Sequence, residues 1–336
     1  MTSGYRPPAR RHDDTLHIVM VAPPWLDVPP RAYGGVEEML AGLITGLAER
    51  GHELTLIGAG QTTAPAKFLC TYPEPPSERI GEPLPEMLHA ARAQRLLADV
   101  RADIVHDHSL AGPLTAAARS APTVVTCHGA PYGELGDCYR ELGGDISMVA
   151  ISTAQRRNAP DLNWVATVHN AIDVHTYPFR GVKEEWVLWL GRFDDRKGPQ
   201  LAIDAARAAG RRIILAGKLV EPSEHVCFER HVRPRLGPDA VYVGEVDAAR
   251  KRELLAGARC LLFPIQWEEP FGMVLIEAMA CGTPVVALDR GSVPEIVVHD
   301  RTGMVLRTAA ELPAAIEAGG RLEPRAGRGH AGSGGD

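Results

Sequence analysis

Two glutamates at a fixed spacing form the most chemically informative part of the 336-residue sequence. Glu269 lies in a Pro-Phe-Gly turn, and Glu277 lies two helical turns later within the stretch 268–286, EEPFGMVLIEAMACGTPVV. The pattern predicts a helix over residues 273–281 that ends at Gly282 and is followed by a β-branched strand. Both carboxylates can therefore reach one ligand that lies across the start of this helix.

The start of the same helix offers a second kind of ligand-binding group. Its first backbone N–H groups have no carbonyl partner inside the helix. A phosphate or a polyhydroxylated ring would satisfy them. The residues concerned are Phe271, Gly272, Met273 and Val274. The alternative interpretation is an ordinary helix with one buried glutamate.

Two cations follow a predicted strand in the same half of the chain. The apolar run WVLWL leads into GRFDDRKG, which contains Arg192 and Lys197. Because ligands of α/β sheets bind at the carboxyl ends of the strands, both side chains are candidate anion ligands. The alternative is a cationic loop that only precedes a helix.

The first half of the chain carries further candidates. Gly34 and Gly35 precede a predicted helix, and bare backbone N–H groups at a helix start allow a ligand to approach closely. A tight turn would use the same two glycines. His128 follows the apolar strand in PTVVTCHG, again at the carboxyl end of a strand. A single histidine in this position can also be purely structural.

Taken together, these stretches resemble the family 4 retaining glycosyltransferases. The resemblance rests on EPFG with its two glutamates, on GRxxxxKG, on GGVEE at 34–38 and on the GTPVV strand. It implies the GT-B fold, in which two Rossmann-like domains face each other across a cleft and the C-terminal domain holds a nucleotide-sugar. HNAID resembles the NGID turn of the family, but Ala171 replaces the usual glycine. That departure asks for a non-glycine backbone conformation at Ala171 and leaves a role of Asn170 open.

The resemblance also implies roles for the candidate residues. Arg192 and Lys197 would grip the donor pyrophosphate, and Glu277 would bond the ribose hydroxyls. Glu269 and His128 would contact the transferred sugar, and with the two cations they are the catalytic candidates. The residues assigned to donor binding on the same grounds are Gly34, Gly35, Gly217, Val246, Phe271, Gly272, Met273, Val274 and Glu277.

Composition restricts the class of protein. The net charge is −6 and the basic residues are scattered, which offers nucleic acid no continuous surface. No run of about 18 apolar residues exists, and no apolar segment follows the charged N-terminus, so we predict neither a spanning helix nor a signal peptide. The six cysteines lack CxxC pairing, which is typical of reduced core residues in a cytoplasmic protein.

A metal site is not expected. The HDH run at 106–108 places alternate side chains on one face of a strand, but no Cys or carboxylate cluster at ligand spacing accompanies it. No cofactor is expected beyond the donor substrate itself. In the family that donor is a UDP-, GDP-, ADP- or dTDP-linked sugar.

Apolar runs alternate with helical segments along the chain, which predicts an α/β protein with two doubly wound parallel sheets. Helices of the second half are predicted at 199–209, around 227–236 and at 248–256. The predicted organisation is a disordered leader at 1–15, an acceptor-side domain at 16–178, a nucleotide-sugar domain at 179–320 and a disordered tail at 321–336. The Gly-rich tail implies a C-terminal end that is shorter than in the family.

The function that the resemblance implies is sugar transfer from a nucleotide-diphosphate sugar to a hydroxyl acceptor, with retention, by front-face attack and without a metal. The acceptor would be a small molecule or an oligosaccharide, and the composition suits an actinomycete tailoring enzyme of antibiotic or other natural-product biosynthesis. One alternative is a UDP-sugar epimerase, which shares the architecture. Another is a nucleotide-sugar-binding protein without transfer activity.

Overall fold

Two parallel sheets organise the molecule. The computed structural model describes residues 15–31 and 34–333. The seven strands of the first sheet are β1 (His17–Val21), β2 (Glu53–Ala59), β3 (Lys67–Tyr72), β4 (Ile104–Asp107), β5 (Thr123–Cys127), β6 (Ile146–Ala150) and β7 (Trp164–Thr167). The six strands of the second are β8 (Val187–Leu190), β9 (Ile213–Ala216), β10 (Ala240–Tyr242), β11 (Leu261–Phe263), β12 (Val285–Leu288) and β13 (Gly303–Leu306).

Helices connect the strands and cover both sheets. Those of the first half are α1 (Gly35–Glu49), α2 (Pro83–Ala98), α3 (Glu134–Leu142) and α4 (Thr153–Arg157). Those of the second half are α5 (Pro199–Ala208), α6 (Pro222–Cys227), α7 (Ala248–Gly257), α8 (Met273–Ala280), α9 (Val293–Ile296), α10 (Leu312–Gly319) and α11 (Pro324–Ser333). Because helices cover both sheets, most of the strands are short apolar runs, as is typical of parallel strands.

The strand order locates the place where ligands can bind. The first sheet runs β3-β2-β1-β4-β5-β6-β7, and the second runs β10-β9-β8-β11-β12-β13. The order reverses between β1 and β4 in one sheet and between β8 and β11 in the other. A crevice opens at such a reversal, outside the carboxyl ends of the strands. The predicted fold, two Rossmann-like units of the GT-B type, is confirmed.

The strands and helices of the C-terminal half enclose a dense apolar core. Leu188, Leu261 and Val285 lie on three adjacent strands and are fully buried. Leu275 and Met279, one turn apart on α8, pack against them and are fully buried as well. Since α8 is held on its apolar face by this core, its first turn and its two flanking carboxylates have fixed positions relative to the sheet.

The helix expected around 227–236 differs from the structure. α6 already begins at Pro222, because Glu221 and Glu224 form a reciprocal capping box around a proline at the first helical position. It continues as a π-helical turn at Phe228–Val232 and a 3₁₀ turn at Arg233–Arg235. β3 and α2, which complete the first sheet and its cover, have no counterpart among the elements predicted from the sequence.

The predicted disordered tail at 321–336 is wrong as far as residue 333, where α11 ends. The guanidinium of Arg328 donates hydrogen bonds to the carbonyl oxygens of Val174 (3.0 Å), Tyr177 (2.9 Å) and Ala280 (2.8 Å). A Cβ atom at Gly327 would lie 3.3 Å from the carbonyl oxygen of Met279, so a glycine permits the close approach of α11 to α8. Gly327, one of the glycines that suggested disorder, is thus a packing position in a helix.

The predicted domain boundary stays a prediction. It falls within residues 168–186, which connect the last strand of one sheet to the first strand of the other. Of the predicted leader, residues 1–14 lie outside the described residues, as do 334–336 of the predicted tail. None of the helices in the described part is both long and apolar enough to cross a membrane.

The two halves of the molecule also touch beside this connection. The carboxylate of Glu295, from α9, accepts hydrogen bonds from the backbone N–H groups of Thr153 (2.8 Å) and Ala154 (2.5 Å). These are the first residues of α4, so a side chain of the second half caps a helix of the first. Across the cleft, a guanidinium nitrogen of Arg252 lies 3.8 Å from the carboxylate of Glu38.

Candidate active site

A cleft of about 540 Å³ lies between the two sheets, where both strand orders reverse. It is lined by residues that follow β1, β5, β8, β9 and β11 and by the starts of α1 and α8. The structure therefore gathers one site from segments that are far apart in the chain. The sequence candidates that line it are Gly34, Gly35, His128, Arg192, Lys197, Glu269, Phe271, Gly272, Met273, Val274 and Glu277.

Glu269 is held by two donors. Its Oε2 accepts hydrogen bonds from Nζ of Lys197 at 2.5 Å and from Nε1 of Trp267 at 2.9 Å. The ammonium of Lys197 also lies 5.4 Å from the centre of the Trp267 ring, within cation–π distance. This cluster joins the GRFDDRKG loop to the EPFG turn, and it fixes the carboxylate and the cation against one wall of the cleft.

The EPFG turn has a backbone geometry that only certain residues can adopt. Gly272 has φ of +81° and directly precedes α8. A loop after β12 supports the turn from behind: Ser292 donates its backbone N–H to the carbonyl of Glu269 (2.9 Å) and its hydroxyl to the carbonyl of Phe271 (2.8 Å). The loop therefore pairs two carbonyl oxygens at the base of the turn, while Phe271 and Gly272 line the cleft.

Glu277 lies on the cleft side of α8 with one of its two oxygens already paired. Its Oε1 accepts hydrogen bonds from Nζ of Lys251 (2.7 Å) and from the hydroxyl of Tyr177 (3.0 Å). No described residue donates a hydrogen bond to its Oε2. A buried carboxylate that is oriented through one oxygen can receive a pair of ligand hydroxyl groups through the other.

The wall formed by the second half of the molecule carries the positive charge of the cleft. Arg192 follows β8, and its Nη1 lies 3.3 Å from Oε1 of Glu221, to which Nζ of Lys218 also donates at 3.3 Å. The carboxylate of Glu221 therefore holds the two cations near each other. The four cationic residues that line this wall are Arg192, Lys197, Lys218 and Lys251.

The GRFDDRKG loop is held in place by local turn chemistry. The side chain of Asp194 accepts a hydrogen bond from the backbone N–H of Arg196 at 2.9 Å, which closes a short 3₁₀ turn. Gly198 then adopts φ of +64°, and a Cβ atom there would collide with the carbonyl of Pro264. Lys197 is thereby positioned between two constrained residues and directed at Glu269.

The start of α1 faces the start of α8 across the cleft. Gly34 is extended, and a Cβ atom on it would lie 2.7 Å from side-chain atoms of Leu26 and of Pro30. A Cβ atom on Gly35 would lie 3.5 Å from Cγ of Met273. Gly34 is thus required by neighbours in its own half, whereas a side chain at 35 would make only an ordinary contact with Met273 at the start of α8. The starts of both helices line the cleft, and a helix start carries backbone N–H groups without a partner inside the helix.

His128 reaches the cleft from the carboxyl end of β5. Its Nε2 lies 2.9 Å from Nδ1 of His108, the residue that follows β4. Burial lowers the pKa of His128 to about 3, so its imidazole is neutral at physiological pH. A neutral imidazole carries a single N–H, which can donate to a sugar hydroxyl.

The opposite wall, from the first half of the molecule, has a different character. Trp25 and Ser77 line it, and the hydroxyl of Ser77 donates to the carbonyl of Trp25 at 2.6 Å, which links two loops. Glu37 lines it as well, and burial raises the pKa of its carboxyl to about 7. No lysine or arginine of the described residues lines this wall.

Two sequence candidates lie outside the cleft lining. Gly217 is pressed against the carbonyl of Gly191, and its own carbonyl accepts a hydrogen bond from the hydroxyl of Tyr242 at 2.8 Å. Val246 packs against the apolar core instead of facing the cleft. Their neighbours Lys218 and Glu245 line the cleft, and the assignment of Gly217 and Val246 to donor contacts stays a prediction.

The HNAID turn agrees with the expectation drawn from its alanine. Ala171 is not among the residues with positive φ, so the chain adopts the non-glycine conformation that this departure from the family pattern requires. Asn170 lines the cleft, although its role was left open. In residues 15–31 and 34–333, no group of three or more His, Cys, Asp or Glu side chains is arranged to hold a metal ion.

Comparison with known proteins identifies the family. A model described as "Glycosyl transferases group 1" matches residues 178–318, and one described as "Glycosyltransferase Family 4" matches residues 33–197. The protein is a glycosyltransferase. The two matches overlap at residues 178–197, and each covers most of one of the two Rossmann-like units of this glycosyltransferase.

Individual relatives of the glycosyltransferase agree with this. It is 27% identical to the alpha-maltose-1-phosphate synthase of Mycobacterium tuberculosis over 85% of this chain and 84% of that protein. It is also 27% identical to AviGT4, a glycosyltransferase involved in Avilamycin A biosynthesis, with a TM-score of 0.70 over 94% and 92% of the two chains. Anabaena HepE, solved with UDP and glucose, shares the fold at 16% identity and a TM-score of 0.72 over 96% of each chain.

Proposed function

We propose that this glycosyltransferase moves a sugar from a nucleotide-diphosphate sugar to a hydroxyl acceptor, with retention of configuration and without a metal ion. The observation that carries the proposal is that the two walls of the cleft differ in charge and in side-chain chemistry. On one wall, two carboxylates, one just before α8 and one on it, lie among four cationic residues: Arg192, Lys197, Lys218 and Lys251. The other wall has hydroxyl-, carboxyl- and ring-bearing residues and no described cation.

The charge of the first wall suits a departing nucleoside diphosphate. Negative charge grows on the leaving phosphate as the glycosidic bond breaks, and fixed cations with helix-start N–H groups stabilise it without reorganising. Arg192 and Lys197 lie beside the first turn of α8, whose amides are the complementary donors. These groups can supply the neutralisation for which other transferases use a divalent ion.

Retention follows from the proposed placement of the acceptor. The bond between the anomeric carbon and the diphosphate oxygen breaks, and the acceptor oxygen forms its bond on the same face. The acceptor proton passes to the leaving phosphate oxygen. A double displacement would instead need a free carboxylate within bonding reach of the anomeric carbon. Glu269 is engaged by Lys197 and Trp267, which favours the front-face route.

The donor and acceptor classes are proposed from chemistry and similarity. Glu277, with one unpaired oxygen, suits the two hydroxyls of a ribose, and a UDP-, GDP-, ADP- or dTDP-sugar provides them. Similarity to AviGT4 supports a hydroxylated natural product or oligosaccharide as acceptor and a role in tailoring. A cytoplasmic location is part of the proposal because the donor nucleotides are made there.

A panel of nucleoside diphosphates in the presence of EDTA tests the proposal. One of UDP, GDP, ADP or dTDP should raise the melting temperature, because a ligand that binds only the folded state stabilises it by mass action. The matching sugar nucleotide should then be hydrolysed slowly, and the released or transferred sugar should carry the donor's anomeric configuration by NMR. No stabilisation by any of the four would contradict donor binding. Binding without hydrolysis or transfer would favour a sugar-nucleotide-binding protein, and formation of an epimerised sugar would favour the epimerase alternative.

Glu277→Gln should weaken binding of the nucleoside diphosphate that the panel identifies. A hydrogen bond to a charged group contributes about 1.5–3 kcal/mol, so the dissociation constant should rise by roughly ten- to a hundredfold. Isothermal titration calorimetry measures it. Glu253→Gln is the matched control, since Glu253 pairs with Arg250 on the outside of α7. Equal affinities of both variants and the unmodified protein would remove Glu277 from the donor site.

His128→Ala should lower kcat by at least about tenfold, because a hydrogen bond to the transferred sugar is lost. Affinity for the free nucleoside diphosphate should stay within about tenfold, since that ligand has no sugar for His128 to contact. Steady-state kinetics together with calorimetry separate the two quantities. His299→Ala, at an exposed position, serves as control. Turnover of the His128 variant at the unmodified level would make this histidine structural.

A further inference from the structure

Three histidines stand side by side at the carboxyl ends of β4 and β5. The ring of His108 lies between the other two, with centroids 4.2 Å from His106 and 5.2 Å from His128. His106 is engaged elsewhere, since its Nε2 lies 2.7 Å from the hydroxyl of Thr126. Only His128 lines the cleft, so His108 forms the layer immediately behind it.

All three rings are neutral. Burial lowers the pKa of His106 to about 4 and that of His128 to about 3, and it lowers the pKa of His108 well below the usual value. A neutral imidazole has one N–H and one bare nitrogen. The hydrogen bond of 2.9 Å between Nδ1 of His108 and Nε2 of His128 therefore has two possible directions.

The surroundings of the remaining nitrogens decide between these directions. Nε2 of His108 is fully buried and has no hydrogen-bond partner. If His128 were the donor, the only N–H of His108 would be on this orphaned nitrogen. If His108 is the donor, the orphaned nitrogen is only a bare acceptor. A buried N–H without a partner is rarer in native structures than an unused acceptor, so the second direction is favoured.

The same bond has a consequence for His128. Its Nε2 is then the acceptor, so its single N–H must be on Nδ1. No described residue makes a hydrogen bond with Nδ1, and this nitrogen is not among the fully buried atoms that lack a partner. It is therefore the nitrogen that His128 presents to the cleft.

We propose that His108 is a positioning residue: it donates its Nδ1–H to Nε2 of His128 and thereby keeps the N–H of His128 on Nδ1, available to a hydroxyl of the transferred sugar. The catalytic meaning of this inference rests on the proposed function. The tautomer itself does not, because it is a property of the free protein.

NMR of the full-length protein with ¹⁵N-labelled histidine reads the tautomer directly. In a two-bond ¹H–¹⁵N correlation spectrum, His128 should show a protonated Nδ1 and a bare Nε2, and His128→Gln identifies its signals by their loss. In His108→Phe the same ring should change to the Nε2–H form, which neutral imidazole prefers in water. A protonated Nε2 on His128 in the unmodified protein would overturn the inference, whether or not the protein transfers sugar.

Two substitutions at His108 separate positioning from packing. His108→Phe keeps a ring but has no donor. His108→Asn is smaller but carries an amide near the position of Nδ1, so it can still donate to His128. The inference expects kcat of the Phe variant to fall roughly tenfold, the effect of one hydrogen bond, and that of the Asn variant to fall clearly less. A role in packing alone predicts the opposite order, because a cavity is left by Asn and not by Phe.

The readout of turnover is hydrolysis of the sugar nucleotide whose nucleoside diphosphate stabilises the protein. Affinity for that nucleoside diphosphate should be unchanged in both variants, which also shows that they fold. His106→Gln is the matched control, since it alters the adjacent ring and can keep the bond to Thr126. It should leave kcat and the tautomer of His128 unchanged. An Asn variant with lower kcat than the Phe variant would overturn the role in positioning, and absence of any hydrolysis would count against the proposed function and leave the NMR result to decide the tautomer.

Discussion

Replacing Arg192 or Lys197 by Ala is expected to lower kcat by about 10²–10³, the effect typical of losing one preorganised charge-stabilising group. The physical reason is that charge on the bridging phosphate oxygen increases as the glycosidic bond breaks. Cations at that place bind the transition state more strongly than the ground state. Turnover should therefore fall more than affinity for the nucleoside diphosphate, and steady-state kinetics with calorimetry would show the difference.

The arrangement of the two cations adds detail to this expectation. Arg192 is spaced from Lys218 by Glu221, whereas Lys197 is paired with Glu269. Lys197→Ala therefore also leaves a buried carboxylate without its cation, which can lower kcat by repelling the leaving group. A combined Lys197→Ala and Glu269→Gln variant separates these two causes. If loss of the cation dominates, restoring neutrality at Glu269 should not recover kcat.

Arg196→Ala is the matched control on the same loop. Arg196 pairs with Asp194 and does not line the cleft. Its loss should leave kcat close to that of the unmodified protein. The double variant at 192 and 197 should be less than additive, since both cations act on one anion. If both single variants kept kcat and raised only KM, the cations would contribute uniform binding and the catalytic assignment would have to be withdrawn.

Arg119→Met is expected to lower the free energy of unfolding of the first domain by about 3–5 kcal/mol. The guanidinium of Arg119 lies 2.8 Å from Oδ2 of Asp107, and the side chains are 2% and 0% exposed. The other oxygen of Asp107 accepts hydrogen bonds from the backbone and hydroxyl of Ser109. Removal of the cation leaves an uncompensated buried charge, which is more costly than the loss of the pair itself.

Urea denaturation measures this effect, and the transition of the first domain should move to lower urea concentration. Arg140→Met is the control, because Arg140 forms its ion pairs at the surface, where pairs contribute little. A second variant, Arg119→Met with Asp107→Asn, should be more stable than Arg119→Met alone, since it removes the unpaired charge. Equal stability of Arg119→Met and the unmodified protein would mean that the buried pair adds nothing to the fold.

The strands and the local turns could be predicted from the sequence. Parallel strands buried on both faces are short apolar runs, and such runs mark most strands of both sheets. The turns at Gly198 and Gly272 could be found because positive φ leaves a direct trace in the sequence, namely a glycine at a fixed place in a motif. The two motifs themselves were identified from other signals: GRFDDRKG from two cations after an apolar strand, and EPFG from the spacing of Glu269 and Glu277.

Other parts of the site could not be predicted, because their role depends on packing. Lys251 lies in the charged segment AARKREL of α7, which as a sequence describes a solvated helix face. Only the approach of α7 to α8 brings its ammonium to Glu277. Glu37 was read only as part of GGVEE, since its burial against the cleft leaves no trace in the local sequence. The histidines at 106–108 gained their relation to His128 only through the pairing of β4 with β5.

The C-terminal helix was missed for a related reason. A composition rich in glycine is typical of disorder, because such segments bury little apolar surface. α11 is held instead by Arg328, whose three hydrogen bonds to backbone carbonyls depend on the position of the connection and of α8. Together with the packing of Gly327 and Ala331, these bonds hold the helix, and none of the contacts can be recognised from the local sequence.

Glu295 connects the two halves of the molecule through hydrogen bonds to the first turn of α4. Any motion that separated the two halves at this point would transfer the N–H groups of Thr153 and Ala154 from a carboxylate to water. Losing a helix cap costs about 0.5–2 kcal/mol, which corresponds to roughly a two- to thirtyfold change in the ratio of closed to open molecules. One carboxylate therefore contributes directly to the free-energy difference between joined and separated arrangements of the two sheets.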